Sequence, residues 1–150
     1  MSKNLSIINT TKSKLPRLPF SDIKKDILKD SYNLSIVFIT EKKSQELNKK
    51  YRKKNKPTNI LSFPLSKKEG EILICIKTAK TELVKFNRNL REMIGFLVIH
   101  GMLHLKGMKH SAKMEREEKK YDEKYFYRNR HGIFHDKSRS GRIFKGRKKS

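Results

Sequence analysis

An α+β fold is what the sequence predicts: a small mixed β-sheet packed with about five helices. Three observations predict it. Short runs of β-branched and aromatic residues, Leu34–Ile39 the clearest, alternate with stretches of helical periodicity. From Leu90 to Lys106 the chain is apolar on most faces, the pattern of a helix buried in a core rather than lying on its surface. Two apolar runs, Ile60–Leu65 and Glu71–Ile76, flank the polar stretch Ser66–Gly70 and read as a hairpin, with Pro64 marking the first of them as a sheet edge or end.

The elements follow in order. Leu5–Asn9 is a short first strand. Ser21 is the candidate N-cap of a helix through about Lys29, with Asp22 in its first turn and Ile23, Ile27 and Leu28 on its apolar face. After the Leu34–Ile39 strand, Thr40 caps a second helix with Glu41 in its first turn, and Leu47 and Tyr51 form a narrow apolar stripe on a lysine-covered surface. Pro57 keeps the stretch from Tyr51 to Asn59 from continuing as helix, which leaves a basic loop. A third helix runs from about Thr78 to Asn87, then comes the apolar helix, and Ser111 caps a last one to about Phe126 with Met114, Tyr121 and Tyr125 inward.

The 150 residues suit one domain, and 38 Lys and Arg against 15 Asp and Glu leave a net charge of +23. That balance attracts polyanions, nucleic acid first and acidic membrane second. No apolar run approaches the ~20 residues of a membrane span, and Met1–Thr10 lacks the apolar core of a secretory signal, so a cytoplasmic protein is expected. Cys75 is the one cysteine, which excludes an internal disulfide and a cysteine zinc site within one chain. The charge is also localised. Residues 128–150 hold nine Lys or Arg against Asp136 alone, with too few apolar residues to build a core, so a domain over 1–127 and a disordered basic tail over 128–150 are expected. Lys53, Lys54 and Lys56 in the loop and Arg139, Arg142, Lys145 and Arg147 in the tail are the candidate nucleic-acid contacts.

The chemistry sits in His100-Gly101-Met102-Leu103-His104-Leu105-Lys106-Gly107-Met108-Lys109-His110. Spacing of i, i+4 stacks His100 and His104 on one helix face, and Gly107 can end that helix in a left-handed conformation so that His110 returns to the same point. Three imidazoles in an apolar setting need something to accept their lone pairs, and three protein nitrogens with no fourth ligand are the pattern of a catalytic zinc site. The spacing equals that of the His-Glu-x-x-His-x-x-Gly-x-x-His zinc proteases, but Gly101 stands where their general-base glutamate would, which disfavours peptide hydrolysis. A second pair, His131 and His135, has no histidine ten residues on and reads as a decoy.

With this motif and the block Leu47–Pro64 (Leu-Asn-Lys-Lys-Tyr-Arg-Lys-Lys-Asn-Lys-Pro-Thr-Asn-Ile-Leu-Ser-Phe-Pro) in hand, the chain resembles the YbeY family of bacterial single-strand-specific endoribonucleases, also called rRNA maturation factors. The resemblance implies a zincin-like fold, one zinc ion per chain on His100, His104 and His110, and a catalytic arginine near the metal matching Arg52. It also implies zinc-dependent cleavage of single-stranded RNA in maturation of the 3′ end of small-subunit rRNA and in ribosome quality control, with the small ribosomal subunit and ribosome-assembly proteins as partners and no membrane. Arg52 would steady charge on the phosphoryl oxygens, while the zinc either polarises the phosphate or supplies hydroxide. The chain departs from the family at Met108-Lys109, where an aromatic and an aspartate are usual, and at Gly70-Glu71, where the second residue is usually aspartate; the tail after Arg128 lies outside the family pattern. The alternative is a non-enzymatic RNA-binding ribosome-assembly factor whose structural zinc is closed by a fourth ligand such as Glu71.

Overall fold

Helix α5, Leu90–Leu105, runs through the middle of the computed structural model, which describes residues 4–127. Every residue from Glu92 to Leu103 is buried, as the all-round apolar pattern requires. Its first turn is fixed by a capping box: the Asn89 side chain accepts from the Glu92 backbone N–H at 2.8 Å, and the Glu92 carboxylate accepts from the Asn89 N–H at 3.0 Å.

Under this helix lies a four-stranded sheet of order β1-β2-β4-β3, made of β1 (Leu5–Asn9), β2 (Asn33–Phe38), β3 (Ile60–Ser66) and β4 (Glu69–Ile74). The β1–β2 and β2–β4 pairs are parallel and β3–β4 is an antiparallel hairpin, so the sheet is mixed and β3, with Pro64, is an edge strand as expected. Strand alternation divides the side chains between the faces. Leu34, Ile36, Phe38, Ile60, Ile72 and Ile74 join the main core under α5, while Leu61 and Leu73, with the partly buried Val37 and Phe63, form a smaller cluster on the opposite face. That second face is served by Leu47 of α2 (Glu41–Arg52).

Thr40 caps α2 by accepting from Lys43 N–H, and Ser111 caps α6 (Ala112–Asp122) by accepting from Met114 N–H, both as the sequence indicated. Three boundaries differ. Helix α1 spans Phe20–Ile27 with Pro19 at its N-cap, so Ser21 lies inside the first turn and caps nothing; the buried Phe20 draws the start back. The expected helix over residues 78–87 is two short ones, α3 (Ile76–Lys80) and α4 (Leu83–Phe86). Between them the Thr81 hydroxyl and N–H both bond the Thr78 carbonyl, a local alternative to the helical ladder. The hairpin loop shrinks to Lys67-Lys68, because Glu69 and Gly70 are drawn into β4 by pairing with Asn33 and Leu34 of β2.

Beyond α6 a π-helical turn, Glu123–Tyr127, packs Phe126 into the core and leaves Tyr125 only half-buried, its hydroxyl donating to Asp26 of α1. One buried ion pair ties the two ends of this half together. Arg88, before α5, meets Asp122, at the end of α6, in a two-pronged contact of 3.0 and 2.9 Å, with the guanidinium also 4.6 Å from the centre of the Phe96 ring. Both side chains are almost wholly removed from water. Arg88→Met is therefore expected to lower unfolding free energy by about 3–5 kcal/mol in urea titrations, because it strands the Asp122 carboxylate. The double variant Arg88→Met/Asp122→Leu should lose distinctly less, and a double as unstable as the single would contradict this account.

Candidate metal centre

At the C-terminal end of α5, His100 and His104 face the same point one turn apart. The helix closes with Gly107 at φ +106°, a backbone conformation that favours glycine, and the chain turns back to bring His110 beside them. One ring nitrogen from each of the three lies within 4.8 Å of the others, and the Nε2 atoms of His100 and His104 are 3.1 Å apart. These three form the group able to hold a metal ion among the described residues.

The partners of the remaining ring nitrogens say how. His100 Nδ1 is hydrogen-bonded to the Glu118 carboxylate, and His104 Nδ1 lies 3.0 Å from the Met108 carbonyl oxygen. Both acceptors lack a hydrogen, so each Nδ1 carries a proton and the two Nε2 atoms are the ones turned toward each other. Two ring nitrogens this close need a proton or a metal ion between them, and with a nitrogen of His110 beside them the residues present fit a metal. Burial, and next the neighbouring His100, push the His104 imidazole down to a pKa of about 4, so it is neutral and able to ligate at physiological pH.

Glu118 escaped the reading of the sequence. It is buried on α6, and a signal was there: Met114, Glu118 and Tyr121 follow the i, i+4, i+7 period of that helix, which puts a carboxylate on its inward face. The contact through Met108 is made by backbone, so the unusual Met108-Lys109 pair leaves it intact, with the Lys109 side chain exposed.

A cavity of about 410 Å³ opens over the histidines, with Arg52, Thr58, Asn59 and Ser62 among its other walls. Arg52 ends α2, where Lys53 takes the left-handed conformation at φ 61° and turns the chain into the basic loop. Two buried polar residues of α2, also missed in the sequence, pin that loop. Ser44 exchanges two hydrogen bonds with Thr58, at 2.6 and 2.8 Å, and the Asn48 amide donates to the Lys56 carbonyl at 2.8 Å. Arg52, exposed at the end of α2, lines the cavity beside this pinned loop. Partial burial lowers its pKa from the ordinary arginine value, which still leaves it a cation.

Lys53, Lys54 and Lys56 are exposed on the same loop, outside the cavity wall. Arg139, Arg142, Lys145, Arg147, His131, His135 and the boundary at residue 128 lie outside the described residues. Glu71, the candidate fourth ligand, lines a different groove with Leu73 and Tyr51. At Gly101, beside His100, a Cβ would come within 3.0–3.1 Å of the Ile72, Ile60 and Ser62 side chains, so α5 lies tightly against the hairpin there.

A histidine cluster able to hold a metal, in a cavity that Arg52 also lines, on a mixed α+β scaffold, is the arrangement of a candidate metal-binding protein. The comparisons make this specific. The model of the family described as Endoribonuclease YbeY matches residues 6–135, and the chain belongs to that family. The match runs past Arg128 into the segment set outside the family pattern on sequence grounds. Among relatives named Endoribonuclease YbeY, the chain is 42% identical over 91 residues to that of Colwellia psychrerythraea, covering 56% of this chain and 59% of that protein. It is 32% identical over 107 residues to that of Staphylococcus carnosus, covering 63% and 70% respectively. It is 36% identical over 99 residues to that of Phytoplasma australiense, covering 60% and 69%. The chain thus spans under two thirds of the Colwellia relative's length. Among solved structures, a Thermotoga maritima protein determined in solution superposes with a TM-score of 0.61 at 25% identity, covering 86% of this chain and 93% of that one.

Glu118→Gln is expected to weaken metal binding by roughly ten- to a hundredfold in competition with a chelating dye, because the amide no longer holds Nδ1 as a charged acceptor. An unchanged affinity would show that the carboxylate does not orient His100 for the metal.

Proposed function

We propose that the chain is a zinc-dependent endoribonuclease specific for single-stranded RNA, acting in rRNA maturation on the small ribosomal subunit alongside ribosome-assembly proteins, with one zinc ion per chain held by His100, His104 and His110. The observation that carries it is the convergence of three histidine ring nitrogens in a cavity that Arg52 also lines. Two ligands on a buried helix and a third after a glycine turn support describing the fold as zincin-like. When bound, the ion supplies Lewis acidity, both to a phosphoryl oxygen and to a water whose pKa it lowers to ~7.

The chain's own residues do the rest. Lys53, Lys54 and Lys56 attract the phosphate backbone, a long-range and sequence-independent step. Arg52 receives the scissile phosphate and holds two of its oxygens through parallel N–H donors, stabilising the charge that grows on them. His104, neutral at physiological pH, would leave the positive charge of a bound ion uncancelled toward the phosphate. A structural zinc in a non-enzymatic assembly factor finds less support, since among the described residues the ligand group contains three histidines and no fourth side chain.

Arg52→Ala should retain zinc and melt as the native protein does while cleaving a single-stranded RNA at least a hundredfold more slowly, and Arg52→Lys should recover little because a single ammonium cannot grip two oxygens. His104→Ala should lose zinc and cleavage together. Undiminished turnover in Arg52→Ala would overturn the proposed role.

For the basic segment at the C-terminus, taken as an RNA-contacting arm through Arg139, Arg142, Lys145 and Arg147, deletion of residues 136–150 removes seven Lys or Arg and spares the family match. RNA affinity should fall by a similar factor across sequences, and the log–log salt dependence should become shallower by roughly 0.7 per lost phosphate contact. An unchanged slope in filter-binding titrations would make the arm a spectator.

A further inference from the structure

We infer that the groove on the sheet face opposite α5 is a nucleobase-stacking site, in which unpaired bases flanking the cleaved phosphate lie against Tyr51 and Phe63; this rests on the endoribonuclease reading above. The groove encloses about 840 Å³ between α2 and the sheet, with Leu47, Tyr51, Phe63, Leu65 and Leu73 in its walls. It adjoins the metal cavity. Pro64 is a wall of both, and Tyr51 is followed in the chain by Arg52, so a strand whose phosphate reaches Arg52 passes the aromatic pair.

The groove's chemistry selects its occupant. Tyr51 is 55% exposed and Leu65 60%, large apolar surfaces left in water beside a site. The Tyr51 and Phe63 rings meet edge to face at 5.1 Å, which holds the exposed tyrosine face in place. An apolar peptide would fit such a floor but has no use for the cations around it: Lys43 lines the groove, and Lys50, exposed, has its Nζ over the Tyr51 ring at 5.2 Å from the centre. Flat apolar units strung on a polyanion satisfy both features. Glu71 and Thr10 in the walls favour base edges over phosphates, since a carboxylate repels a phosphate and accepts from an exocyclic amine. A base can stack here only when it is free of a duplex partner, which gives the fold a physical reason to prefer single strands.

The test is cleavage by the zinc-loaded full chain of a single-stranded RNA in which one abasic nucleotide is moved stepwise past the cleaved bond. kcat/KM should drop roughly tenfold at one or two positions next to that bond and nowhere else. Tyr51→Leu should lower kcat/KM on the intact RNA by a similar factor and be indifferent to the abasic nucleotide at those positions, while Tyr51→Phe, which keeps the ring, recovers most of the loss. Cleavage with a flat scan in the native protein, or an undiminished abasic effect in Tyr51→Leu, overturns the stacking site and leaves the groove to a protein partner with apolar side chains. Absence of any cleavage sinks the endoribonuclease reading itself, and this one with it.

Discussion

At Gly101 the backbone of α5 rests against the hairpin of β3 and β4, so close that one added carbon would meet Ile60, Ser62 and Ile72. That approach sets the geometry of everything around it. It fixes how far His100 and His104, on either side of Gly101, stand from the edge strand, and Ser62 on that strand lines the cavity over the imidazoles. The loop that follows Arg52 enters β3 through Asn59, whose carbonyl accepts from Cys75 N–H at 3.0 Å just past the end of β4. Helix and hairpin are thereby packed tightly where the cavity opens, and a side chain at position 101 would have to displace the Ile60, Ser62 and Ile72 side chains.

Turning the Nε2 atoms of His100 and His104 toward one point needs acceptors behind the rings, and the chain supplies them from two sources of different character. Glu118 is a side chain from another helix, while the Met108 carbonyl is backbone made available by the turn at Gly107. This division explains why the Met108-Lys109 departure is tolerable: what the turn contributes to His104 is its peptide group, independent of the side chains there. It also makes α6 part of the site, and the buried Arg88–Asp122 pair holds the far end of that helix against the beginning of α5.

The site was legible in the sequence where its residues lie on one element or its immediate continuation. The i, i+4 histidines, the glycine three residues after the second, and the third histidine a short turn beyond are local geometry, and so are the caps at Thr40 and Ser111. What escaped notice acts across the chain. Glu118 is eighteen residues from His100, Arg88 is thirty-four from Asp122, and Ser44 meets Thr58 fourteen residues on. Each is a polar residue whose partner exists only after folding, so composition and periodicity mark it at most as an odd inward position. The early start of α1 and the break between α3 and α4 are likewise decided by packing of Phe20 and by local hydroxyl bonding rather than by the capping signals of the sequence.

The claim on which the account turns is that the cluster holds a metal with three protein nitrogens and an open position. X-ray absorption at the zinc edge of the purified protein measures this directly. About three imidazole nitrogens at roughly 2.0–2.1 Å and one further light scatterer that exchanges with added ligands are expected. A fourth protein ligand closing the shell, or a spectrum unchanged when His104 is replaced by alanine, would contradict it.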